Sequence, residues 1–206
     1  MRSFPVNIVL LPSDELAQKA VAASKSLQAY GALLELNAIT GPFPHVSLYM
    51  TQIKDSDLAK IGEVLTSLAK ATSSLSLQAI VYHQEVGYID VEYARFAALD
   101  QLQMIVINAI NPLRDGLREK DKARLATATG LEHDNIVKYG YRSVGDLFAP
   151  HLTFTRFTDN KEIDTSTLPE IAEFGGQFAK LGLFEMGDNG TCIRKIAEFE
   201  LGSGKA

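Results

Sequence analysis

Two short segments of this chain place a histidine and a hydroxyl side chain in the same order. Pro44-His45-Val46-Ser47-Leu48 and Pro150-His151-Leu152-Thr153-Phe154 both follow the pattern proline, histidine, apolar, hydroxyl, apolar. The chain has four histidines, so half of them lie in this pattern. Chance is a poor explanation for a five-residue pattern that occurs twice around so rare a residue.

The spacing suits acid–base chemistry on a phosphate group if each segment is a β-strand. Alternate residues of a strand face the same side, so His45 shares a face with Ser47, and His151 with Thr153. Imidazole exchanges protons near neutral pH, so one histidine can deprotonate a nucleophile while the other protonates the leaving group. Hydroxyl groups donate hydrogen bonds to phosphate oxygens. Two such strands that meet in a cleft could therefore open or close a phosphodiester without a metal.

These paired motifs resemble those of the two-histidine (2H) phosphoesterase superfamily, which includes RNA 2′,5′-ligase (LigT-like) proteins and related cyclic phosphodiesterases. The resemblance runs from the first predicted strand to about residue 200. It implies a metal-independent hydrolase that acts on a 2′,3′-cyclic phosphate or a 2′,5′-phosphodiester of RNA or a nucleotide. It also implies a catalytic set of His45, Ser47, His151 and Thr153, with serine where threonine is commoner in the family. No cofactor is implied.

Three further side chains are candidates for substrate contacts. Tyr49 shares the face of Ser47 by strict alternation and could stack on a base, and Tyr88 could do so from a neighbouring hairpin. The family often has an arginine soon after the second motif, where Arg156 lies in this chain. Strict alternation, however, places Arg156 on the face opposite Thr153.

Composition restricts the class of protein. The 206 residues carry a net charge of −5, which disfavours a broad surface for duplex nucleic acid but allows a nucleotide or RNA end in a local pocket. The single cysteine, Cys192, excludes an internal disulfide and suits a cytoplasmic protein in which it is a small buried group. The apolar segment Val6–Leu11 is too short to cross a membrane, and no partner protein is indicated.

Hydrophobic periodicity predicts an α+β fold. We expect strands at 4–11, 45–53, 75–82, 87–94, 151–157, 178–186 and 191–201, and helices after Ser13, after Ser56, over 97–111 and near 166–173. A strand, a helix and a strand pair follow each motif. We therefore expect residues 1–206 to form one bilobal domain with two pseudo-symmetric lobes. Each lobe would be a small, mostly antiparallel sheet with helices outside, and the motif strands would face a central cleft.

Residues 114–149 are long and polar, and they begin with a charge run of five basic and three acidic residues. The simpler interpretation is a solvated helix end and surface loop. The alternative is an insertion or lid whose Lys138, Tyr139, Tyr141 and Arg142 contact phosphate and base.

The two remaining histidines have no partner pattern. His83 is expected in a hairpin turn over 83–85, and His133 in the polar loop. No zinc-binding motif includes them, so no metal site is predicted. The functional alternative to catalysis is a domain that binds a nucleotide or RNA end without turnover, and a partner protein with a vestigial site is a third reading.

Overall fold

The computed structural model describes residues 2–202, which contain eight β-strands and five α-helices. The strands are β1 (Ser3–Pro12), β2 (Val46–Lys54), β3 (Leu75–Leu77), β4 (Ala79–Glu85), β5 (Tyr88–Tyr93), β6 (His151–Arg156), β7 (Gly176–Met186) and β8 (Cys192–Glu200). The helices are α1 (Asp14–Ser26), α2 (Leu58–Ala71), α3 (Ala97–Ile110), α4 (Glu119–Leu125) and α5 (Gly130–Tyr139). None of the helices in this part of the chain has the length and apolar character required to span a bilayer.

The strands form two antiparallel sheets, which confirms the predicted α+β fold with two lobes. The first sheet has the order β2-β1-β7-β3, and β8 pairs with the same outer edge of β7 as β3 does. The second sheet has the order β4-β5-β6. Each motif strand, β2 or β6, lies at one edge of its sheet, and the two strands contact each other. The fold therefore brings the two motifs together.

The hairpin that follows each motif belongs to the other motif's sheet. The β4–β5 hairpin comes after β2 in the chain but pairs with β6, and the β7–β8 hairpin comes after β6 but pairs with β1. The repeated element order suggested that each half of the sequence forms one lobe. The observed strand pairing shows instead that each lobe contains strands from both halves. A strand pair follows each motif strand, but an α-helix follows directly only after the first motif strand, and long-range pairing exchanges the hairpins.

Local sequence signals place the first three helices as predicted. The Ser13 hydroxyl accepts a hydrogen bond from the Leu16 amide at 3.3 Å and caps α1. Gly31 ends the following short 3₁₀ turn with a φ of +82°, a conformation that glycine adopts without strain. Helix α3 buries the predicted stripe of Leu99, Leu102, Val106 and Ile110.

Apolar residues of both sheets form one continuous core. It includes Ile8 and Leu48 of the first sheet and Val91 and Phe154 of the second, all fully buried. Burial of the apolar positions of both motifs fixes which side of each strand faces away from the core.

Two segments differ from the sequence predictions. Residues 114–149, expected as a loop, contain α4 and α5 and a 3₁₀ turn at Gly145–Leu147. The helix expected near 166–173 is instead two 3₁₀ turns, Thr165–Thr167 and Ile171–Phe174, which Pro169 separates.

Candidate active site

Each motif strand carries a β-bulge at the same place. In the first sheet Ile8 pairs with Tyr49 but the next residue, Val9, pairs with Ser47, so Leu48 is the extra residue. In the second sheet Phe154 is skipped in the same way between Thr155 and Thr153. The bulge is thus the last residue of both motifs. Bulges alter the direction of the side chains that follow them, and here they do so beside both histidines.

The first bulge moves Tyr49 away from the site. Tyr49 is fully buried, and its hydroxyl lies 3.0 Å from Asn111 Oδ1 and 2.6 Å from the Tyr139 carbonyl. The expectation that Tyr49 shares the face of Ser47 is therefore wrong, because strict alternation ends at Leu48. Met50, which pairs with Asn7, occupies that face instead.

The second bulge moves Arg156 onto the site face. Arg156 pairs with Tyr88, two positions from the Asp90 that pairs with Thr153, so Arg156 and Thr153 face the same side. Its guanidinium lies 5.1 Å from the centre of the Tyr88 ring and donates to Asn189 Oδ1 at 2.7 Å. The expectation from strict alternation is corrected, and the position of Arg156 suits a contact with an anion.

Both imidazoles are anchored by the same bond. His45 Nδ1 lies 2.7 Å from the Phe43 carbonyl, and His151 Nδ1 lies 2.8 Å from the Ala149 carbonyl, in each case two residues earlier. A carbonyl can only accept, so Nδ1 carries the hydrogen in both rings. Each Nε2 is therefore the atom available for proton exchange, and it is free of a proton when the ring is neutral.

The surroundings of His45 favour its neutral form. Asn7, a fully buried residue of β1, lies with its amide nitrogen 3.3 Å from His45 Nε2 and donates to Ser47 Oγ at 2.8 Å. Burial lowers the pKa of His45 to about 4, the Phe43 carbonyl opposes this, and the charge of His151 adds to it. That last contribution also shows that the two imidazoles lie within electrostatic reach of each other.

The surroundings of His151 are acidic. Asp90 on β5 pairs with Thr153, and Glu92 pairs with His151. Burial raises the pKa of the Asp90 carboxyl, while His151 and His83 lower it. The second sheet therefore places a carboxyl group, that of Asp90, opposite the motif hydroxyl, whereas the first sheet places the apolar Val9 opposite Ser47.

His83 lies in a strand beside these carboxyl groups. The turn of this hairpin is Val86–Gly87, both with positive φ, and not the predicted 83–85. His83 pairs with Asp90, and its Nδ1 lies 3.5 Å from Asp90 Oδ1 and 3.8 Å from Glu92 Oε1. The three donor atoms lie within 4.8 Å of one another, so this is the place in residues 2–202 that could hold a metal ion. One imidazole and two carboxylates are donors that divalent transition metals accept.

The two hydroxyls differ in exposure. Ser47 is 8% exposed and accepts from Asn7, so its own proton remains available for a phosphate oxygen. Thr153 is half-buried on the same face as His151.

Sequence reasoning missed Asn7 and Asp90. The usable signal was a polar residue within an apolar strand: Asn7 interrupts Phe4–Leu11, and Asp90 follows Ile89 and precedes Val91. Both side chains are buried; Asn7 donates to Ser47, and Asp90 lies opposite Thr153 in the strand pairing.

The remaining predicted residues lie elsewhere. His133 lies on α5, 3.3 Å from Asp134. Cys192 is a buried free thiol beside Asn7, and burial raises its pKa, as expected of a small core residue. Tyr141, one candidate for base stacking, is 7% exposed and packs edge-on to Tyr49.

Comparison with known proteins identifies the fold. No protein-family model and no curated sequence matches the chain. Among solved structures, Escherichia coli LigT in its apo form matches with a TM-score of 0.59, 12% identity, and coverage of 98% of this chain and 99% of LigT. The chain has the LigT fold. TT0787 of Thermus thermophilus matches with a TM-score of 0.63 at 12% identity, over 98% of this chain and 100% of TT0787.

The LigT fold agrees with the resemblance deduced from the two motifs. The E. coli LigT complex with phosphate matches with a TM-score of 0.59 and 12% identity, over 98% of this chain and 99% of LigT. The complex with 3′-AMP matches with a TM-score of 0.59 and 11% identity, over 97% of this chain and 99% of LigT.

Proposed function

We propose that this chain is a metal-independent phosphoesterase of the two-histidine kind that hydrolyses a 2′,3′-cyclic phosphate or a 2′,5′-phosphodiester of a nucleotide or RNA end. The observation that carries the proposal is the equivalent construction of the two motifs. Each places a histidine whose Nε2 is the atom available for proton exchange two residues before a hydroxyl, on the site face of an edge strand. The nucleotide and phosphate complexes of E. coli LigT support a phosphate-bearing ligand for this fold.

We assign the general base to His45. Its pKa of about 4 keeps the ring neutral at physiological pH, so Nε2 can accept a proton from water. The water oxygen then forms a bond to phosphorus. The Asn7 amide, which donates towards Nε2 in the free protein, would yield that position to the water.

We assign the general acid to His151. It is the second histidine of the pair, and the carboxyl group of Glu92 is its cross-strand neighbour. As the bond from phosphorus to the ribose oxygen breaks, His151 gives its proton to that oxygen. The products are a free ribose hydroxyl and a 2′- or 3′-phosphate, with one proton gained by His45 and one lost by His151.

The hydroxyls of Ser47 and Thr153 stabilise the transition state in this scheme. Negative charge builds on the non-bridging oxygens during attack, and fixed hydrogen-bond donors there lower the barrier. Ser47 is held in place by Asn7 at 2.8 Å, so little reorganisation is needed.

A substrate panel tests the proposal. We expect turnover of a 2′,3′-cyclic mononucleotide or a 2′,5′-linked dinucleotide, with the position of the product phosphate showing which bond breaks. Binding of these compounds with no turnover of any of them would contradict the proposal and favour a binding domain.

A further inference from the structure

The α4–α5 segment gathers positive charge next to the catalytic face. Lys120 and Arg124 lie one helical turn apart on α4, so they share a face of that helix. Arg118 immediately precedes α4, and Arg142 follows α5. Together with Arg156 these are five cations. Within residues 2–202, these five cations form ion pairs with two carboxylates, those of Asp121 and Glu132. The cluster therefore has a net charge of 5 − 2 = +3, although the net charge of the whole chain is −5.

The cluster has a rigid base. Asp121 is fully buried, and its carboxylate accepts from Arg118 Nε at 2.5 Å and lies 3.9 Å from Arg124 Nη1. Arg118 is 7% exposed, and its guanidinium lies over the Tyr141 ring, 5.7 Å from the ring centre. A buried ion pair of this kind holds α4 at a defined place, whereas Lys120 and Arg142 remain accessible to solvent.

The β7–β8 turn connects this cluster to the catalytic face. Arg118 Nη1 lies 3.6 Å from the sulfur of Met186, the last residue of β7. Three residues later, Asn189 accepts from Arg156. The end of the β7–β8 hairpin therefore contacts both Arg118 and Arg156, and Arg156 lies on the same face as Thr153.

The five cations of the cluster outnumber the two carboxylates that pair with them, so the cations repel one another. Partial burial lowers the pKa of Lys120, and Arg124, Arg118, Arg142 and Arg156 lower it further. The ammonium thus lies within electrostatic reach of all four guanidinium groups. A bound anion would offset this repulsion, as is common where perturbed groups gather at a binding site.

We propose that Lys120, Arg124 and Arg142 form a second phosphate subsite, which binds a phosphate of the substrate other than the one at His45 and His151. The inference rests on the proposed function and specifies its substrate class. The preferred substrate carries at least two phosphates, as in a 5′-phosphorylated cyclic nucleotide or a short oligonucleotide that ends in a cyclic phosphate. The positive charge of the cluster is sufficient to bind a short ligand of this kind. A long nucleic acid would also meet the rest of the chain, which is acidic and repels phosphates.

The kinetic test compares one nucleoside 2′,3′-cyclic phosphate with the same compound bearing a 5′-phosphate, and with a dinucleotide that ends in a cyclic phosphate. We expect the wild type to prefer the compounds with two phosphates in kcat/KM. The preference should fall about tenfold in Lys120→Glu, because the variant loses one charge-assisted contact to phosphate. If only one of the two compounds shows this loss, it identifies where the second phosphate lies relative to the ribose.

Lys122→Glu is the matched control. Lys122 lies on the same helix, is exposed, and pairs with Glu119 at 2.6 Å, so its substitution changes the net charge equally without touching the cluster. The preference should persist in this variant. Equal losses in the two variants, or no preference in the wild type, would overturn the subsite.

Equilibrium binding separates this inference from the proposed chemistry. The probes are adenosine 3′,5′-bisphosphate and 3′-AMP, measured by calorimetry at fixed ionic strength. Tighter binding of the bisphosphate in the wild type, lost in Lys120→Glu, would support the subsite even if no cyclic phosphate is turned over. Equal affinity for both probes would refute it even if turnover is observed.

Discussion

Lowering the pH from 7 to 5 should leave the general base of this protein nearly intact. A histidine with a pKa of about 4 is about 90% neutral at pH 5, whereas one with the ordinary value of 6.5 is about 3% neutral. We therefore expect the acid limb of kcat/KM to have its midpoint near pH 4. The assay is hydrolysis of a 2′,3′-cyclic nucleotide from pH 3.5 to 9 at constant ionic strength, with an NMR titration of the His45 ring. A limb with its midpoint near 6.5, or a His45 that titrates there, would refute the assignment of His45 as a buried neutral base.

The same pKa has a consequence for stability. The folded pKa lies below the unfolded value, so between pH 6.5 and 4 the unfolded chain binds more protons and unfolding becomes more favourable as the pH falls. The difference of 6.5 − 4 = 2.5 units, at 1.36 kcal/mol each, is worth about 3 kcal/mol. The wild type should therefore lose about 3 kcal/mol more than His45→Gln between pH 7 and pH 4, measured by urea unfolding. Equal losses would contradict the burial argument.

Asn7→Asp provides a directed perturbation of the base. A carboxylate beside Nε2 favours the protonated ring, so the pKa of His45 should rise by about 1–3 units and the acid limb should move with it. The NMR titration of His45 measures this directly and does not depend on turnover. No shift in a folded variant would show that Asn7 does not face the proton-accepting atom.

Further predictions concern the hydroxyls and the core. Ser47→Ala and Thr153→Ala should each lower kcat by about 10²-fold, because each removes a hydrogen-bond donor to the transition state. Thr51→Ala removes a hydroxyl from the opposite face of β2 and should leave kcat unchanged. Similar rates in all three variants would argue against transition-state contacts. Tyr49→Phe should lower the free energy of unfolding by about 1–2 kcal/mol and leave KM unchanged, because the hydroxyl is bonded in the core; a higher KM at unchanged stability would restore a role in binding.

The sequence was sufficient to predict the motif strands because two patterns agree there. His45 and Ser47 alternate with Val46 and Leu48, and the apolar pair is fully buried, as is the equivalent pair of the second motif. The bulge was not predictable from alternation, since the extra residue is itself apolar and continues the pattern. The placements of Tyr49 and Arg156 were inferred from that pattern, and both change at the bulge.

The long-range pairing of the hairpins also lay beyond the sequence. Local periodicity identifies a strand but does not select its neighbour, and the strand predicted over 75–82 proved to be two. Leu75–Leu77 pairs with β7 in one sheet and Ala79–Glu85 with β5 in the other. The hairpin turn was misplaced because His83, Gln84 and Glu85 are polar, whereas the turn residue Val86 is a β-branched residue that rarely adopts its φ of 52°.

The helices of residues 114–149 were missed for a different reason. Helix α4 has only seven residues, and the interaction that fixes it is the buried pair of Arg118 and Asp121 instead of an apolar stripe. Charged residues in a sequence predict exposure, so such a pair becomes visible only in the structure. That pair also positions the basic cluster on which the second phosphate subsite depends.

The most direct test of the proposed function is kcat/KM for a 2′,3′-cyclic nucleotide in the presence of EDTA, for the wild type, His45→Asn and His151→Asn. We predict turnover by the wild type that the chelator does not reduce, and a loss of about 10²–10⁴-fold in each variant, the usual contribution of one general acid or base. Activity that EDTA abolishes, or a variant that retains nearly the full rate, would contradict a mechanism in which two histidines and no metal move the protons.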